Sequence, residues 1–87
     1  MSTTESDLVH VRFYAAARAA VGVAELRVET GSAEDILRKI SGSNSQISRV
    51  FSLCSILVDG VILHDLSLEI AGGRDLDVLP PFAGGSD

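Results

Sequence analysis

The residues with the clearest chemical potential lie at the end of the sequence, where Gly84–Gly85 follows the double proline Pro80–Pro81. Glycine has no Cβ, so two consecutive glycines fit a narrow channel and adopt backbone angles that other residues avoid. The prolines stiffen the chain and favour an extended exit. From Pro81 to Gly85 such a segment spans about 13 Å. The pattern predicts a thin tail that presents a carboxylate on Gly85 to the active site of another protein.

Other residues with reactive side chains give weaker patterns. Cys54 is the only cysteine, lies among apolar residues, and is expected to be a small core residue rather than a sulfur acceptor. His10 and His64 are far apart in sequence and form no recognisable metal-binding spacing. Gly72–Gly73 is followed by neither a helix nor a lysine with serine or threonine, which favours a turn over a phosphate-binding loop. Lys39, the only lysine, is expected to be a solvated helix residue.

Composition and charge exclude several classes of function. The chain has 87 residues, of which 46% are hydrophobic, so it is too apolar for intrinsic disorder and too short for two lobes around a catalytic cleft. Its net charge of −5 opposes binding to nucleic acid and to anionic membrane surfaces. No apolar run approaches the roughly 20 residues that span a bilayer, and the N-terminus is acidic and polar, unlike a signal peptide. We therefore expect a cytoplasmic protein that binds neither nucleic acid nor membranes.

Hydrophobic periodicity predicts the elements that must hold the tail in place. Apolar and polar residues alternate over 8–14 and 24–29, which indicates two strands in a hairpin joined by an alanine-rich connector of about one helical turn. Ser32 and Asp35 resemble a capping box and predict the start of a helix. Apolar residues at helical spacing over 47–54 predict a second short helix or a packed turn.

The second half of the chain reads as a hairpin followed by a last strand. Asp59–Gly60 separates two short apolar runs and is typical of a type I′ turn, which needs positive φ at both positions. The last strand, 76–79, ends at Pro80 because proline has no amide hydrogen for a ladder hydrogen bond.

This order of elements predicts an α+β fold, the β-grasp or ubiquitin-like arrangement. We expect a mixed sheet of about four to five strands, covered by one main helix and a short second helix. The first and last strands are expected to lie side by side in its centre and to run parallel. The β-grasp domain is assigned to residues 7–81, between a disordered N-terminal tail, 1–6, and a flexible C-terminal tail, 82–87.

Two segments of the sequence carry a resemblance to a known family. They are VRFYAAAR, Val11–Arg18, and VLPPFAGG, Val78–Gly85; Gly22 and the hairpin residues Ile56–Gly60 agree with the same pattern. In these segments the chain resembles the small subunit of molybdopterin synthase, a β-grasp sulfur carrier of the MoaD type. The resemblance covers the chain from about Leu8 to Gly85.

The resemblance implies a role as carrier rather than catalyst. A ubiquitin-activating-type partner would adenylate the carboxylate of Gly85 with ATP, and a sulfur donor would convert the adenylate to a thiocarboxylate. The tail, with Gly84 and Gly85 at its tip, would then enter the large synthase subunit and give its sulfur to a pyranopterin precursor. The chain itself would bind no cofactor and no metal. The assembly would be a heterotetramer of two small and two large subunits.

The residues before the glycines are expected to contact the partner. Pro80, Pro81, Phe82 and Ala83 lead from the last strand to the glycine pair. A large aromatic side chain on a tail either folds back on the domain or fills a partner pocket, and we favour the partner pocket for Phe82.

One departure from the family pattern opens alternatives. The family ends at the second glycine, whereas this sequence continues with Ser86–Asp87. With these residues in place Gly85 has no free carboxylate, and the two negative charges of Asp87 would approach the phosphates of ATP at an unfavourable energy. The hypothesis is that Ser86–Asp87 is removed before activation. The alternatives are a sulfur carrier for thiamine thiazole or cysteine synthesis, and a ubiquitin-like interaction module that carries no sulfur.

Overall fold

The structure, a computed structural model, describes residues 7–81 of the chain. The predicted tails, 1–6 and 82–87, lie outside the described residues, so the division into a domain and two tails stays a prediction. Along the chain the elements are β1 (Leu8–Phe13), α1 (Ala15–Val21), β2 (Glu25–Glu29), β3 (Gly31–Ser32), α2 (Ala33–Ser41), α3 (Ser45–Ser52), β4 (Ser55–Val58), β5 (Val61–Ile62), β6 (Glu69–Ile70) and β7 (Asp75–Leu79).

The main sheet has five strands in the order β2–β1–β7–β4–β5. The first and last strands, β1 and β7, are parallel neighbours in its centre, as predicted, with Val11 opposite Leu76 and Phe13 opposite Val78. β2 pairs antiparallel with β1, and β4 pairs antiparallel with β7. The prediction of a mixed α+β sheet of four to five strands is therefore confirmed.

The β4–β5 hairpin turns at the predicted position. Leu57 pairs with Ile62 and Val58 with Val61, which leaves Asp59–Gly60 as a two-residue loop. The φ angles of Asp59 and Gly60 are +50° and +85°. Positive φ at both loop residues is the geometry of a type I′ turn, so this prediction is confirmed.

The helices differ from the prediction in number. The Ser32 hydroxyl accepts a hydrogen bond from the amide of Asp35 at 3.1 Å, which confirms Ser32 as the N-cap of α2. The predicted second helix is α3, capped by the side chain of Asn44. The alanine-rich connector, expected to form about one turn, is the seven-residue helix α1 and ends at Gly22, φ +95°. Alanine has the highest helix propensity, and packing of Ala17 and Val21 against the core stabilises the helix beyond the one predicted turn.

Two further details were not predicted from the sequence. β3 and β6 form a separate two-stranded sheet through Gly31–Ile70 and Ser32–Glu69 pairs, and two-residue strands are too short to show a periodic pattern. Ala24, which the alternation over 24–29 places in the second predicted strand, precedes β2 and is exposed.

The core lies between the inner face of the main sheet and the three helices. Phe13 of β1 and Phe51 of α3 stack with ring centroids 6.0 Å apart. The buried apolar cluster consists of Val9, Val11, Phe13, Ala17, Ala33, Ile36, Leu37, Phe51, Ile56, Ile70, Leu76 and Val78. Burial of these side chains is the main favourable term that fixes the sheet, and with it the end of β7. None of the helices in residues 7–81 has the length and apolar character needed to cross a membrane.

Candidate partner-binding site at the end of the last strand

The end of β7 is held from both sides, which fixes the point where the C-terminal segment leaves the domain. β1 lies on one side and β4 on the other, with Ser55 opposite Leu79. The amide of Tyr14 donates to the carbonyl of Val78 at 3.2 Å, which extends the parallel pairing beyond β1. A strand in the centre of a sheet is among the least mobile elements of a domain, so the segment that follows it starts from a fixed position.

The two prolines after β7 have different environments. Pro80 is buried and Pro81 is exposed. Both line an open apolar cavity of about 210 Å³, which we call the tail-root cavity; its other lining residues are Ala15, Ala16, Val50 and Leu53. Leu53 at its rim is 66% exposed. An apolar cavity beside the exit of the tail is a surface that a partner protein can cover.

A backbone turn at the start of α1 forms one wall of this cavity. Ala15 has a φ of +48°, in the left-handed region, at a cost of about 1–2 kcal/mol for a residue with a Cβ. This conformation turns the chain sharply between β1 and α1. The turn places Ala15 and Ala16 against Pro80 and Pro81 at the end of β7.

The solvent-facing side of the sheet next to the tail exit carries a second apolar area. Residues paired directly across an antiparallel ladder share a face, so Leu57 lies on the same side as Asp77 and Ile62. Leu79 follows Asp77 on that side by the two-residue period. Ile62 is 53% exposed, and Leu57 and Leu79 are half-buried. Together Leu57, Ile62 and Leu79 form what we call the apolar sheet patch.

An ion pair borders the apolar sheet patch. Arg12 donates to Asp77 twice, Nε to Oδ1 at 2.6 Å and Nη2 to Oδ2 at 3.0 Å. The Asp77 side chain is only 12% exposed. The hydrogen bonds to Asp77 hold the pKa of Arg12 above its ordinary value, against the opposing effect of burial. The pair joins β1 to β7 and orients both charges at the edge of the patch.

A second charged group continues the same face toward β2. Nδ1 of His10 lies 3.3 Å from Oδ1 of Asp75, and Nε2 of His10 contacts the carboxylate of Glu25. The hydrogen bond to His10 lowers the pKa of Glu25 below its ordinary value. Three strands, β2, β1 and β7, are thus connected by one imidazole ring, and the solvent-facing side of the sheet divides into a charged half and an apolar half.

The structure places only part of the predicted site. Phe82, Ala83, Gly84 and Gly85 lie outside the described residues, and their roles stay predictions. Pro80 and Pro81 are described and share the tail-root cavity, and their contact with a partner stays a prediction. Ser86–Asp87 likewise lies outside the described residues.

Several surface residues of the site were missed by the sequence analysis. Ile56–Leu57 and Val78–Leu79 are pairs of consecutive apolar residues, which break the alternation of apolar and polar residues in their strands. In a strand covered on one face, two consecutive apolar residues leave one of them on the solvent side. This signal predicts the apolar sheet patch, whereas the closeness of Leu53 to the tail depends on tertiary packing.

Cys54 has the environment of a structural residue. It is half-buried, and its thiol donates to the carbonyl of Val50 at 3.2 Å. Burial raises the pKa of the thiol, which disfavours the reactive thiolate. Among residues 7–81, no three histidine, cysteine or acidic side chains are arranged to hold a metal ion.

Comparison with known proteins gives structural neighbours only. No family model and no curated protein matches the sequence. One neighbour is a chain from the complex of subunits 1 and 2 of the molybdopterin-converting factor of Helicobacter pylori 26695, with TM-score 0.67 and 19% identity over 90% of this chain and 99% of that one.

Two further neighbours are modifier proteins. Small archaeal modifier protein 1 of Haloferax volcanii has TM-score 0.72 and 24% identity, covering 90% of this chain and 99% of that one. The corresponding protein of Methanosarcina acetivorans has TM-score 0.74 and 22% identity, covering 90% of this chain and 96% of that one.

These likenesses define the class of fold. At identities of 19–24% they show the fold alone, and that fold is the predicted ubiquitin-like β-grasp. A chain of a molybdopterin-converting factor is among these neighbours, so the resemblance expected from the sequence is confirmed at the level of the fold.

Proposed function

We propose that this chain is the sulfur-carrier small subunit of molybdopterin synthase, with sulfur carried as a thiocarboxylate on Gly85. The observation that carries the proposal is the position of the tail. A segment with two glycines follows directly on the central strand of a β-grasp domain, and apolar surface lies on both sides of its exit. Likeness of the fold to a chain of the molybdopterin-converting factor supports the same role.

In this proposal the β-grasp domain and the segment beyond Pro81 have different roles. Because β7 is paired on both sides, the domain can be recognised as a fixed body while the residues beyond Pro81 enter a separate active site. The segment from Pro81 to Gly85 reaches about 13 Å, enough to cross the wall of a partner's cleft. A side-chain-free end leaves the reacting carboxylate open to attack.

The chemistry belongs to the partners. A carboxylate is a poor electrophile, so the activating partner transfers AMP from ATP to the Gly85 carboxylate and releases pyrophosphate. A donor then supplies sulfur at the oxidation level of sulfide, which attacks the acyl carbon, releases AMP and leaves a thiocarboxylate, a compact nucleophile. In the large subunit this sulfur attacks the pyranopterin precursor, and water then cleaves its bond to the acyl carbon, so that Gly85 regains its carboxylate. The chain supplies the carrier group and the docking surface, and no cofactor binds to it.

Docking on the large subunit would cover the two apolar areas beside the tail. The tail-root cavity and the apolar sheet patch flank the end of β7 from the helix side and the solvent side of the sheet. Phe82, directly after Pro81, would add an aromatic anchor between them. A heterotetramer places one such contact at each end of a dimer of large subunits.

A second candidate function follows from the modifier proteins among the structural neighbours. Their likeness in fold favours a role in which the activated Gly85 carboxylate is joined to an amine of another protein. Both functions need the same adenylate and differ in the final acceptor. Sulfur carriers of the thiazole or cysteine pathways differ in the partner protein.

Intact-mass measurement separates these functions. The chain ending at Gly85 is incubated with the activating enzyme, ATP and a sulfur donor, and we expect a product about 16 Da heavier, as oxygen is replaced by sulfur. The full-length chain ending at Asp87 serves as the matched control and is expected to stay unmodified, because its Gly85 carboxyl is bound in a peptide bond. Equal adenylation of the two chains would contradict the removal of Ser86–Asp87.

The acceptor is identified with the thiocarboxylated chain. We expect the purified large subunit to bind it and to convert the pyranopterin precursor with loss of the added 16 Da or so. Covalent adducts with other proteins, without precursor conversion, would instead support the modifier function. Failure of the activated chain to bind the large subunit would refute the primary proposal.

A further inference from the structure

A cavity of about 220 Å³ lies between α2 and α3 and shares no lining residue with the tail-root cavity. We call it the helix-pair cavity. Its apolar surface comes from Leu37 and Phe51, which are buried, and from Leu66, which is half-buried. Exposed polar side chains line it as well, and they include Glu34, Arg38 and Ser48. A ligand that fits this lining has an apolar body and a polar end.

The charges around the cavity leave one carboxylate without a partner. Arg38 donates to Oδ1 of Asp35 at 2.6 Å, so its positive charge is paired within α2. The Glu34 carboxylate makes no ion pair with any residue in the described range. These three residues therefore carry one uncompensated negative charge, on Glu34 in the wall of the cavity. A cation complements that charge, and the net charge of −5 attracts the same sign at longer range.

The start of α2 does not select an anion at this cavity. A helix N-terminus binds anions through the unpaired N–H groups of its first turn. Here the amides of Ala33 and Glu34 donate to carbonyl oxygens of the segment before β6, at 3.2 and 2.9 Å. The amide of Asp35 donates to the hydroxyl of Ser32. Because these donors are occupied, the polar groups left for a ligand near Glu34 are acceptor oxygens.

The size of the cavity favours a single side chain over a free small molecule. Sites for small molecules usually measure roughly 300–1,000 Å³, and the helix-pair cavity is smaller. Among cationic side chains, arginine is more weakly hydrated than lysine, stacks on aromatic rings and has five donors in a planar fork. The lining offers aromatic surface from Phe51 and acceptor oxygens from Glu34 and Ser48, which match those properties.

We propose that the helix-pair cavity binds an arginine side chain of a partner protein. The aliphatic stem of the arginine covers Leu37 and Phe51, and its guanidinium donates to the carboxylate of Glu34 and the hydroxyl of Ser48. The cavity includes no residue of the tail, of the tail-root cavity or of the apolar sheet patch. The inference therefore goes beyond the sulfur-carrier function and does not depend on it.

The probe is arginine capped at both ends, Nα-acetyl-arginine N-methylamide, which is titrated into the isotope-labelled full-length chain. Amide chemical shifts report both the affinity and the place of binding. We expect saturable shifts confined to α2, α3 and the residues around Leu66, with a Kd of about 1–10 mM. The capped citrulline analogue has the same shape without the charge, and it should bind about two- to five-fold more weakly. The assay needs neither ATP nor Gly85, so its outcome is independent of the carrier proposal.

Variants of matched charge test the contact with Glu34. Glu34→Gln is expected to weaken arginine binding about two- to five-fold and to remove the preference for arginine over citrulline. Glu29→Gln, at an exposed position on β2, changes the net charge equally and should leave the affinity and the preference unchanged. Arg38→Gln releases Asp35 from its ion pair and is expected to strengthen binding.

Ser48→Leu tests the shape of the cavity. Position 48 is exposed on α3, and leucine has a higher helix propensity than serine, so the Tm should not fall. The larger side chain occupies the space between the two helices, so saturable binding of the capped arginine should be lost.

Five results would overturn the proposal. Saturable shifts may be absent, or arginine and citrulline may bind equally. Equal effects of Glu34→Gln and Glu29→Gln would show attraction by net charge alone, and weaker binding after Arg38→Gln would show that the ligand contacts that guanidinium instead. Finally, tighter binding of n-propylguanidine, which is the arginine side chain without a backbone, would identify a free small cation rather than a partner protein as the ligand.

Discussion

At the scale of residues, charge pairs between positions far apart in the sequence connect neighbouring strands on the solvent-facing side of the sheet. Arg12 and Asp77 are 65 positions apart and make a two-point contact across the parallel β1–β7 pair. A guanidinium and a carboxylate in this geometry form charge-assisted hydrogen bonds, which are stronger than neutral ones. The pair holds the two central strands in register beside the tail exit.

Replacing Asp77 tests that role. Asp77→Asn removes the carboxylate that Arg12 contacts at two points and leaves only Asp75, at 3.8 Å, beside the guanidinium. We expect the free energy of unfolding in urea at neutral pH to fall by about 1–2 kcal/mol. Arg38→Gln, which removes the exposed Arg38–Asp35 pair on α2, is the control and should cost less than about 0.5 kcal/mol. Equal losses for both variants would show that partial burial adds nothing to the Arg12–Asp77 pair.

The contact between Glu25 and His10 predicts a pH dependence. The folded pKa of Glu25 lies below its ordinary value of 4.5, so the contact stabilises the fold above that pH and the stabilisation is lost as pH falls through the folded pKa. We expect the unfolding free energy of the unaltered chain to fall more steeply below pH 4.5 than that of Glu25→Gln.

Urea unfolding at a series of pH values checks this prediction. His10→Gln removes the partner and should give the same shallower acid limb as Glu25→Gln, and the double variant should add nothing further. If the unfolding free energy falls with the same slope below pH 4.5 in all four chains, the Glu25–His10 contact is not the cause of the pH dependence.

At the scale of elements, the cap of α2 links a local sequence signal to the two-stranded sheet. Ser32 is buried, ends β3, and accepts the hydrogen bond from the Asp35 amide at the start of α2. Ser32→Ala leaves this amide without its acceptor and is expected to lower stability by about 1 kcal/mol, a fall in Tm of roughly 4–8 °C for a domain of this size. Ser43→Ala, at an exposed position between α2 and α3, is the control for thermal unfolding. An unchanged Tm for Ser32→Ala would show that the cap is replaced by water.

Local patterns in the sequence predicted most of the elements. The alternation in β1 and β2, the Ser32 cap and the Asp59–Gly60 turn are set by neighbours within a few residues, so they are readable from one segment at a time. The α1 helix and the β3–β6 pair are stabilised by packing against distant parts of the chain, and their extent was not readable in that way.

At the scale of the whole molecule, the proposed docking surface joins the tail to the domain. Phe82→Ala is expected to weaken binding of the large subunit by at least about ten-fold while the Tm changes little, since an aromatic anchor in a partner pocket often contributes 2 kcal/mol or so. Binding is measured by calorimetry and Tm by thermal unfolding. A large fall in Tm with unchanged affinity would instead assign Phe82 to the domain itself.

Leu53→Ser gives a matched test on the described surface. Leu53 is 66% exposed, so its replacement should leave stability within about 0.5 kcal/mol of the unaltered chain. If the large subunit covers the tail-root cavity, the same replacement lowers affinity. Unchanged affinity would exclude the tail-root cavity from the docking surface and leave the apolar sheet patch as the remaining candidate.

Most strands and helices, and the chemical character of the Gly84–Gly85 segment, could be predicted from the sequence, because side-chain periodicity, turn chemistry and the absence of a Cβ are local properties. The parallel placement of the first and last strands was predicted from the order of the elements along the chain. The tertiary structure is needed to show that Pro80 is buried and that Leu53 and Ala15 lie beside the tail exit. Such neighbours come from elements distant in the chain, and only packing of the helices on the sheet brings them together.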